Sequence, residues 1–241
     1  MAAGATPVDL HLFEPKEGLR ALTANFGSKT LGLLDPGTGT GLEIPLGAAV
    51  SRFVPIAGSD GKQRLFAWHG GKTVAAGHLV DLDDLPKKKG KAVRRLDFSA
   101  VVQGVTPAGQ LLLVQLASSA APLALVNPQT GNITEFQGTG ELVGVLATTP
   151  AAPTAFVLGS TATGLRLSRI DLTTLAGTTV NVGMPGPQHL APLGGSGVAV
   201  LGGGGDWGNW VLAAPQGDLA AAKLRFAEAF ALDGLLQKEA K

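Results

Sequence analysis

The sequence contains no cysteine and no tyrosine among its 241 residues, and only 15% of its residues are charged. Without cysteine, the chain cannot form disulfides, thiolate zinc sites, iron–sulfur clusters or a cysteine nucleophile. The 19 basic and 18 acidic residues leave a formal charge of +1, which argues against a generally basic nucleic-acid binder and against a disordered acidic chain. The composition therefore implies no global electrostatic partner.

Long apolar runs are also missing. The run Val198–Leu201 is followed at once by four glycines, and no stretch approaches the ~20 apolar residues of a transmembrane helix. The first thirty residues carry Asp9 and the polar stretch 14–17, where a signal peptide needs an apolar segment. We therefore expect a soluble, intracellular protein, with the cytoplasm as its compartment.

What the chain does contain is 35 glycines, 15 prolines and short apolar runs that recur at a regular interval. An apolar run leads into a turn that begins at Asp35, Asp81, Asn127 and Asp171, with a weaker copy at Ala214, so the steps are 46, 46, 44 and 43 residues. A second landmark, the apolar run upstream of each turn, starts at 19, 65, 111, 155 and 198 and keeps the same steps. Two landmarks in register indicate an internal repeat.

Each repeat is predicted to form four short strands. In the third repeat these are Ala100–Val105, Leu111–Leu116, Leu123–Val126 and Ile133–Phe136, with a turn at 106–109 between the first two. At the later turn, an Asp or Asn side chain can bond the backbone downstream, and Gly takes the conformation that other residues avoid. The strands are apolar on both sides, which predicts sheets buried on both faces.

Four strands in about 45 residues, with hairpins of the Asp/Asn-Pro-x-Thr-Gly type at Asp35–Gly39 and Asn127–Gly131, resemble the blades of β-propeller repeat proteins. The resemblance points to no particular propeller family. It implies an all-β, five-bladed propeller over 1–226, with repeats at 8–50, 51–98, 99–141, 142–186 and 187–226. A five-repeat piece completed by a partner and a stacked β-solenoid remain alternatives. Good helix formers predict a short helical tail at 227–241, either as a cap over one blade or as a partner-docking helix.

The catalytic and cofactor motifs are incomplete, and we expect no cofactor. Gly203, Gly205 and Gly208 match a dinucleotide-binding glycine pattern after a strand, but the following segment ends at Pro215 and is too short for the crossover helix. This region is expected to be a wide hairpin loop. The four histidines match no metal-ligand spacing, so ordinary solvated positions are expected for His11, His69, His78 and His189.

A glycosidase would need two or three carboxylates on the first strands of different blades. The predicted first strands carry Asp9, Arg52, Gln103, no acid in Val143–Ala147, and Gln188 with His189. One carboxylate cannot act as both acid and base, so we expect no enzyme.

One segment is strongly basic. It holds six of the 19 basic residues, leaving 13 against 18 acids elsewhere, and its members are Lys87, Lys88, Lys89, Lys91, Arg94 and Arg95. The repeat register predicts a solvated peripheral loop between the third and outer strands of the second repeat. Alternative roles are contact with an acidic partner, RNA or a membrane surface, or a nuclear-import signal.

A second candidate surface is formed by the connections between second and third strands. Its members are Lys29, His69, Lys72, Asp206, Trp207 and Asn209. A tryptophan beside polar groups could stack on a sugar or a peptide, although a blade-end tryptophan also suits packing between blades. Rigid sheets with variable loops suit recognition, so the predicted function is a non-catalytic scaffold for protein–protein interaction in a larger assembly. A carbohydrate-binding propeller and a glycosidase-like enzyme are the alternatives.

Overall fold

A computed structural model describes residues 6–15, 18–57, 60–71, 73–118, 120–136, 141–147, 154–161, 164–174, 176–182, 187–193, 197–203, 209–214 and 218–227. Within these residues the chain forms five four-stranded sheets, and the strands of each sheet follow one another in chain order. The all-β expectation is therefore confirmed.

Sheets 1 to 3 come first along the chain. Sheet 1 contains β1 (Pro7–Phe13), β2 (Arg20–Asn25), β3 (Thr30–Asp35) and β4 (Thr40–Pro45). Sheet 2 contains β5 (Arg52–Ala57), β6 (Gln63–Trp68), β7 (Ala76–Asp81) and β8 (Val93–Asp97), with a short helix α1 (Leu85–Lys88) and a 3₁₀ turn (Lys89–Ala92) before β8. Sheet 3 contains β9 (Val102–Ala108), β10 (Leu111–Leu116), β11 (Leu123–Val126) and β12 (Ile133–Phe136).

Sheets 4 and 5 follow. Sheet 4 contains β13 (Glu141–Ala147), β14 (Thr154–Thr161), β15 (Gly164–Asp171) and β16 (Gly177–Val182). Sheet 5 contains β17 (Pro187–Leu193), β18 (Gly197–Gly203), β19 (Asn209–Ala214) and β20 (Lys223–Ala227).

In sheet 3, the last three strands match the predicted bounds residue for residue, whereas the first strand differs. The strand β9 runs to Ala108, which pairs with Leu111, so the predicted turn at 106–109 is wrong. Gly109 adopts a φ of 61°, and this left-handed conformation allows a two-residue turn. Pro107 is tolerated because β9 is an edge strand of its sheet.

The Asp and Asn turns form as the repeat predicts. The Oδ1 atom of Asp35 accepts hydrogen bonds from the amides of Gly37 and Thr38 at 2.9 and 3.2 Å. Asn127 Oδ1 accepts from residues 129 and 130 at 2.9 and 3.2 Å, and Asp171 Oδ1 accepts from residues 173 and 174 at 2.8 and 3.0 Å. The same side-chain chemistry therefore closes this hairpin in sheets 1, 3 and 4.

The turns of sheets 2 and 5 depart from this pattern. Asp81 Oδ1 accepts only from the Asp84 amide, at 3.1 Å, before the chain enters α1. In sheet 5, Asp218 accepts from the amides of Ala220 and Ala221 at 3.0 and 3.3 Å. The acceptor that the weak copy at Ala214 lacks is thus supplied four residues later.

The chain divides into two compact units, Met1–Ser118 with Leu123–Glu135, and Ser119–Pro122 with Phe136–Lys241. In the first unit, Leu65 and Ala67 of β6 pack into an apolar cluster shared with sheet 1. The alternate residues Phe66 and Trp68 pack into a second cluster shared with sheet 3. Sheet 2 is therefore buried on both faces, which explains its continuous apolar strands.

In the second unit, Phe156 and Leu158 of β14 pack with Val198 and Val200 of β18. The strand β20 includes Ala227, so the predicted helical tail cannot begin there, and residues 228–241 lie outside the described part of the chain. Among the described residues, no helix is long and apolar enough to cross a membrane.

Candidate functional site

A pocket of about 330 Å³ opens in the first compact unit, where β6 begins and β7 ends. The hairpin between β11 and β12 completes it from sheet 3. It is lined by Lys62, Arg64, Leu79, Asp81, Asp84, Lys88, Lys91, Ala92, Arg94, Pro128 and Gln129. This volume lies near the lower end of the range for small-ligand pockets.

The basic segment forms part of this wall. Its six cations are exposed, as the sequence predicts, but most of the segment is not a loop. It folds as α1 and the 3₁₀ turn, and Arg94 with Arg95 lies in β8. Pro86 occupies the first turn of α1, where its missing N–H costs nothing. Leu85 and Ala92 pack into the apolar cluster between sheets 1 and 2. These two anchors hold the intervening lysines on a fixed piece of backbone.

The structure brings Lys88, Lys91 and Arg94 together at the pocket, whereas Lys87, Lys89 and Arg95 do not line it. Arg95 is exposed and pairs with Asp97 at 2.8 Å.

Sequence reasoning missed Lys62 and Arg64. A sequence feature could have identified them, because these two cations flank Gln63 at the start of an apolar strand. The same strand recurs 46 residues later in the next repeat. The register places Arg64 directly opposite Asp81 of β7.

Three of the five cations in the pocket wall are matched by carboxylates. Arg64 forms a two-pronged ion pair with Asp60, with N–O distances of 2.8 and 2.6 Å, and this hydrogen bonding holds the pKa of Asp60 well below its usual range. Lys62 Nζ lies 3.3 Å from Asp81 Oδ2 and 3.4 Å from Asp84 Oδ2. The hydrogen bond to Asp81 is the main cause that raises the pKa of Lys62.

Lys88 Nζ donates to Asp84 Oδ2 at 2.8 Å, and this bond is the largest cause that lowers the pKa of Asp84. Asp83 is not part of the pocket wall; its carboxylate accepts from the Gln63 amide at 2.9 Å. The acidic turn after β7 is thus engaged by neighbouring donors.

The other two cations of the wall lack an acidic partner. Lys91 is exposed and forms no ion pair with a described residue. Arg94 Nη1 donates to the Thr130 carbonyl, and Arg94 packs over Gly131, which has a φ of 71°. Because a carbonyl is neutral, neither Lys91 nor Arg94 has its charge matched by a carboxylate of a described residue.

Two members of the second predicted surface lie in the first compact unit. Lys29 is exposed in the turn between β2 and β3, and His69 follows the end of β6. His69 is only 7% exposed, so its prediction as a solvent-facing contact is wrong. Its Nδ1 atom accepts from the Gly71 amide at 3.1 Å, and its ring lies 5.1 Å from the ring of Phe26. His69 therefore shapes its loop.

The other members of that surface lie mostly outside the described part of the chain. Lys72, Asp206 and Trp207 lie outside the described residues. Asn209 begins β19, where its backbone pairs with Gly203 of β18. The glycine-rich stretch therefore connects two antiparallel strands, as the hairpin interpretation predicts, and residues 209–214 are a strand where a dinucleotide site would need a helix.

The histidines differ from the solvated expectation at two positions. His189 is exposed and His11 is half-buried, but His69 and His78 are buried. Burial is the main cause that lowers the pKa of His78, against an opposing effect of the Leu46 backbone. Among the described residues, no group of three acids or histidines could hold a metal ion.

The sequence identified only some of the acidic residues that lie in the first strands of the sheets. Asp9 Oδ2 accepts from the Phe53 amide of β5 at 2.9 Å, so this carboxylate ties sheet 1 to sheet 2. The strand β13 begins at Glu141, two residues before the predicted Val143, and so carries an acid that the sequence interpretation had placed outside it. The argument from a single first-strand carboxylate is therefore wrong in its premise.

No protein-family model and no curated protein matches the sequence. Among solved structures, hydrazine synthase from Kuenenia stuttgartiensis matches 94% of this chain and 68% of its own length, with 12% identity and a TM-score of 0.52. A catalytically inactive virginiamycin B lyase from Staphylococcus aureus with quinupristin matches 95% of this chain and 73% of its own, with 14% identity and a TM-score of 0.50.

A looser match is BBS1N in complex with ARL6DN, which covers 88% of this chain and 63% of its own length, with 11% identity and a TM-score of 0.46. At these identities the likeness concerns the fold alone, and the neighbours include enzymes. This likeness and the five sheets, whose strands follow one another in chain order, show that this chain has a β-propeller-like fold.

Proposed function

We propose that the chain is a non-catalytic binding module that recognises a partner protein, within a larger assembly, through the pocket between sheets 2 and 3. The observation that carries this proposal is the chemistry of the pocket wall. Its described residues include no histidine and no hydroxyl side chain, and its two carboxylates hold lysines at 2.8 to 3.4 Å. Such a wall supplies charge for recognition, and both of its carboxylates are engaged by lysines rather than free to act as a general base.

The surplus positive charge favours an acidic segment as the partner's contact. Complementary charge speeds association and selects against wrong partners. A carbohydrate-binding role is the second candidate, supported by the sequence pattern around Trp207, but the pocket wall contains no aromatic side chain on which a sugar could stack. A glycosidase-like role is weaker still, because Asp9 is engaged by the Phe53 amide.

The same proposal includes the finer architecture: five blades closed into one ring over residues 1–226, followed by a helical tail in the rest of the chain. A closed ring of 241 residues should have a radius of gyration of about 18 Å. Small-angle scattering from the purified chain checks this value, and a markedly larger radius would contradict a closed ring.

The function is tested by placing a photo-crosslinking amino acid at position 91 in the pocket, and at position 89 as a control on the same turn. We expect one partner protein to crosslink at 91 and not at 89. The identified partner, purified, should bind the chain with a defined stoichiometry in calorimetry. Equal crosslinking at both positions, or no binding by the purified partner, would refute the proposal.

A further inference from the structure

We propose that the pocket binds the phosphate monoester of a phosphorylated serine or threonine side chain, an inference that rests on the proposed role in binding a partner protein. The wall places Lys91 and Arg94 in one concave site while Lys62, Arg64 and Lys88 are neutralised beside them. Both wall cations that have no carboxylate partner among the described residues therefore line this one pocket.

The size of that charge favours phosphate over carboxylate. A phosphorylated side chain carries a charge of about −1.5 to −2 at pH 7, with three strong acceptor oxygens. Lys91 and Arg94, which have no carboxylate partner among the described residues, can both pair with such a dianion, whereas a single carboxylate carries one negative charge. Aspartate or glutamate side chains of a partner would have to enter the pocket as a pair to supply the same charge.

The donors of Arg94 are held in place before a ligand arrives. A guanidinium has five N–H donors in a fixed plane, and the bond to the Thr130 carbonyl uses one of them. The left-handed Gly131 lets the arginine lie directly on the hairpin, because a Cβ at that position would collide with it. Such an arrangement leaves donors for phosphate oxygens and reduces the entropy lost on binding.

An extended polyanion fits the molecule less well than one phosphate. Nucleic acid needs basic residues along a groove or stripe, but outside residues 86–95 the chain has 13 basic and 18 acidic residues. Asp81 and Asp84 lie in the same wall, so a second phosphate next to the first would meet carboxylates. The charge pattern thus favours a single dianionic group on a protein.

The experiment measures the affinity of the purified full chain for three short probes of equal length. These are a Gly-flanked phosphoserine peptide, the same peptide with glutamate, and a single-stranded oligonucleotide. The pocket variant is Lys91→Gln with Arg94→Gln, and the matched control is Lys89→Gln with Arg95→Gln, which removes the same charge outside the wall. We expect the phosphoserine peptide to bind at least tenfold more tightly than the other probes. The pocket variant should lose at least tenfold in affinity and the control less than twofold.

Because loss of Arg94 also removes a bond to the β11–β12 hairpin, Lys91→Gln alone is measured as well and should lose at least threefold. Equal losses in both double variants, glutamate binding as tight as phosphoserine, or tighter oligonucleotide binding would each overturn the inference. If no phosphate probe binds while a partner still crosslinks at position 91, this inference fails and the proposed function stands.

Discussion

Gly77 shows how closely a single residue fits the stacked sheets. Gly77 lies under the ring of Phe66, which is fully buried. The centroid of the Phe66 ring lies 6.2 Å from that of Trp68 and 6.3 Å from that of Phe98. A Cβ at position 77 would overlap that ring, so Gly77→Ala should cost about 1–3 kcal/mol of unfolding free energy, as overpacking does. Urea denaturation measures it. Gly90→Ala is the control, because the nearest atom to its added Cβ is 4.0 Å away, and equal losses in the two variants would contradict the interpretation.

His78 makes stability depend on pH. It is 2% exposed, and the effect of burial on its pKa outweighs that of a hydrogen bond with the Leu46 backbone. Its neighbours on β8, Arg95 and Asp97, act on it in opposite directions, and burial lowers its pKa. The unfolded chain therefore takes up a proton below pH ~6.5 that the folded chain resists, so stability is full above that pH and falls as the pH decreases.

Between pH 7.5 and 5.5, His78→Gln should remove up to about 1 kcal/mol of this loss, while the exposed His189→Gln should change it little. Burial also lowers the pKa of His11, so the wild-type chain keeps some pH dependence from that residue. Urea melts at the two pH values give the comparison. An unchanged pH profile in His78→Gln would show that the ring finds a proton acceptor when charged.

The sequence was sufficient to predict the hydrogen bonds of a side chain where its partners are close to it along the chain. Asp35 and Asn127 bond amides two and three residues ahead, and turn chemistry is sufficient to foresee such bonds. Arg94 bonds the backbone of a residue 36 positions away, and Asp9 bonds one 44 positions away. Those contacts exist only because neighbouring sheets stack, so the composition of either segment does not reveal them.

At the scale of elements, the hairpin of sheet 3 offers a direct test of the repeated turn. Asn127→Ala removes an acceptor from two backbone amides, at 2.9 and 3.2 Å, and by analogy with helix caps should cost about 0.5–2 kcal/mol. Asn132→Ala is the matched control, since Asn132 takes part in this turn through its backbone. Thermal melting distinguishes them, and equal losses in the two variants would mean that the backbone closes the hairpin without the Asn127 side chain.

The basic segment shows why an element can be misread although its position is right. Six cations within ten residues are typical of a solvated loop. The two residues that fold the segment, Leu85 and Ala92, are seven residues apart, but lysines occupy the positions three and four residues after Leu85, so no continuous apolar stripe marks a helix. Their burial between sheets 1 and 2 decides the structure. Sequence reasoning therefore found three of the five cations of the pocket, but neither the concave shape of the pocket nor the carboxylates that pair with three of its cations.

At the scale of the whole molecule, the repeat was the strongest predictor because each sheet must bury two faces and cannot do so alone. Steps of 43 to 46 residues leave room for four short strands per repeat, and each sheet has four strands. The same logic predicts that damage to one sheet spreads to the next along the chain, since neighbouring sheets share an apolar cluster.

Phe66 is the residue with which to test this coupling. It belongs to β6 of sheet 2, yet its cluster includes Leu112 and Val114 of β10 in sheet 3. Phe66→Ala should cost about 3–5 kcal/mol, and hydrogen exchange should accelerate in the amides of β10 as well as in those of β6. Leu12→Ala changes a side chain that is 58% exposed. It should alter the unfolding free energy by no more than about 0.5 kcal/mol and leave hydrogen exchange in β6 and β10 unchanged. If exchange accelerates only within sheet 2, each sheet is stable without its neighbour, and the shared cluster does not couple them.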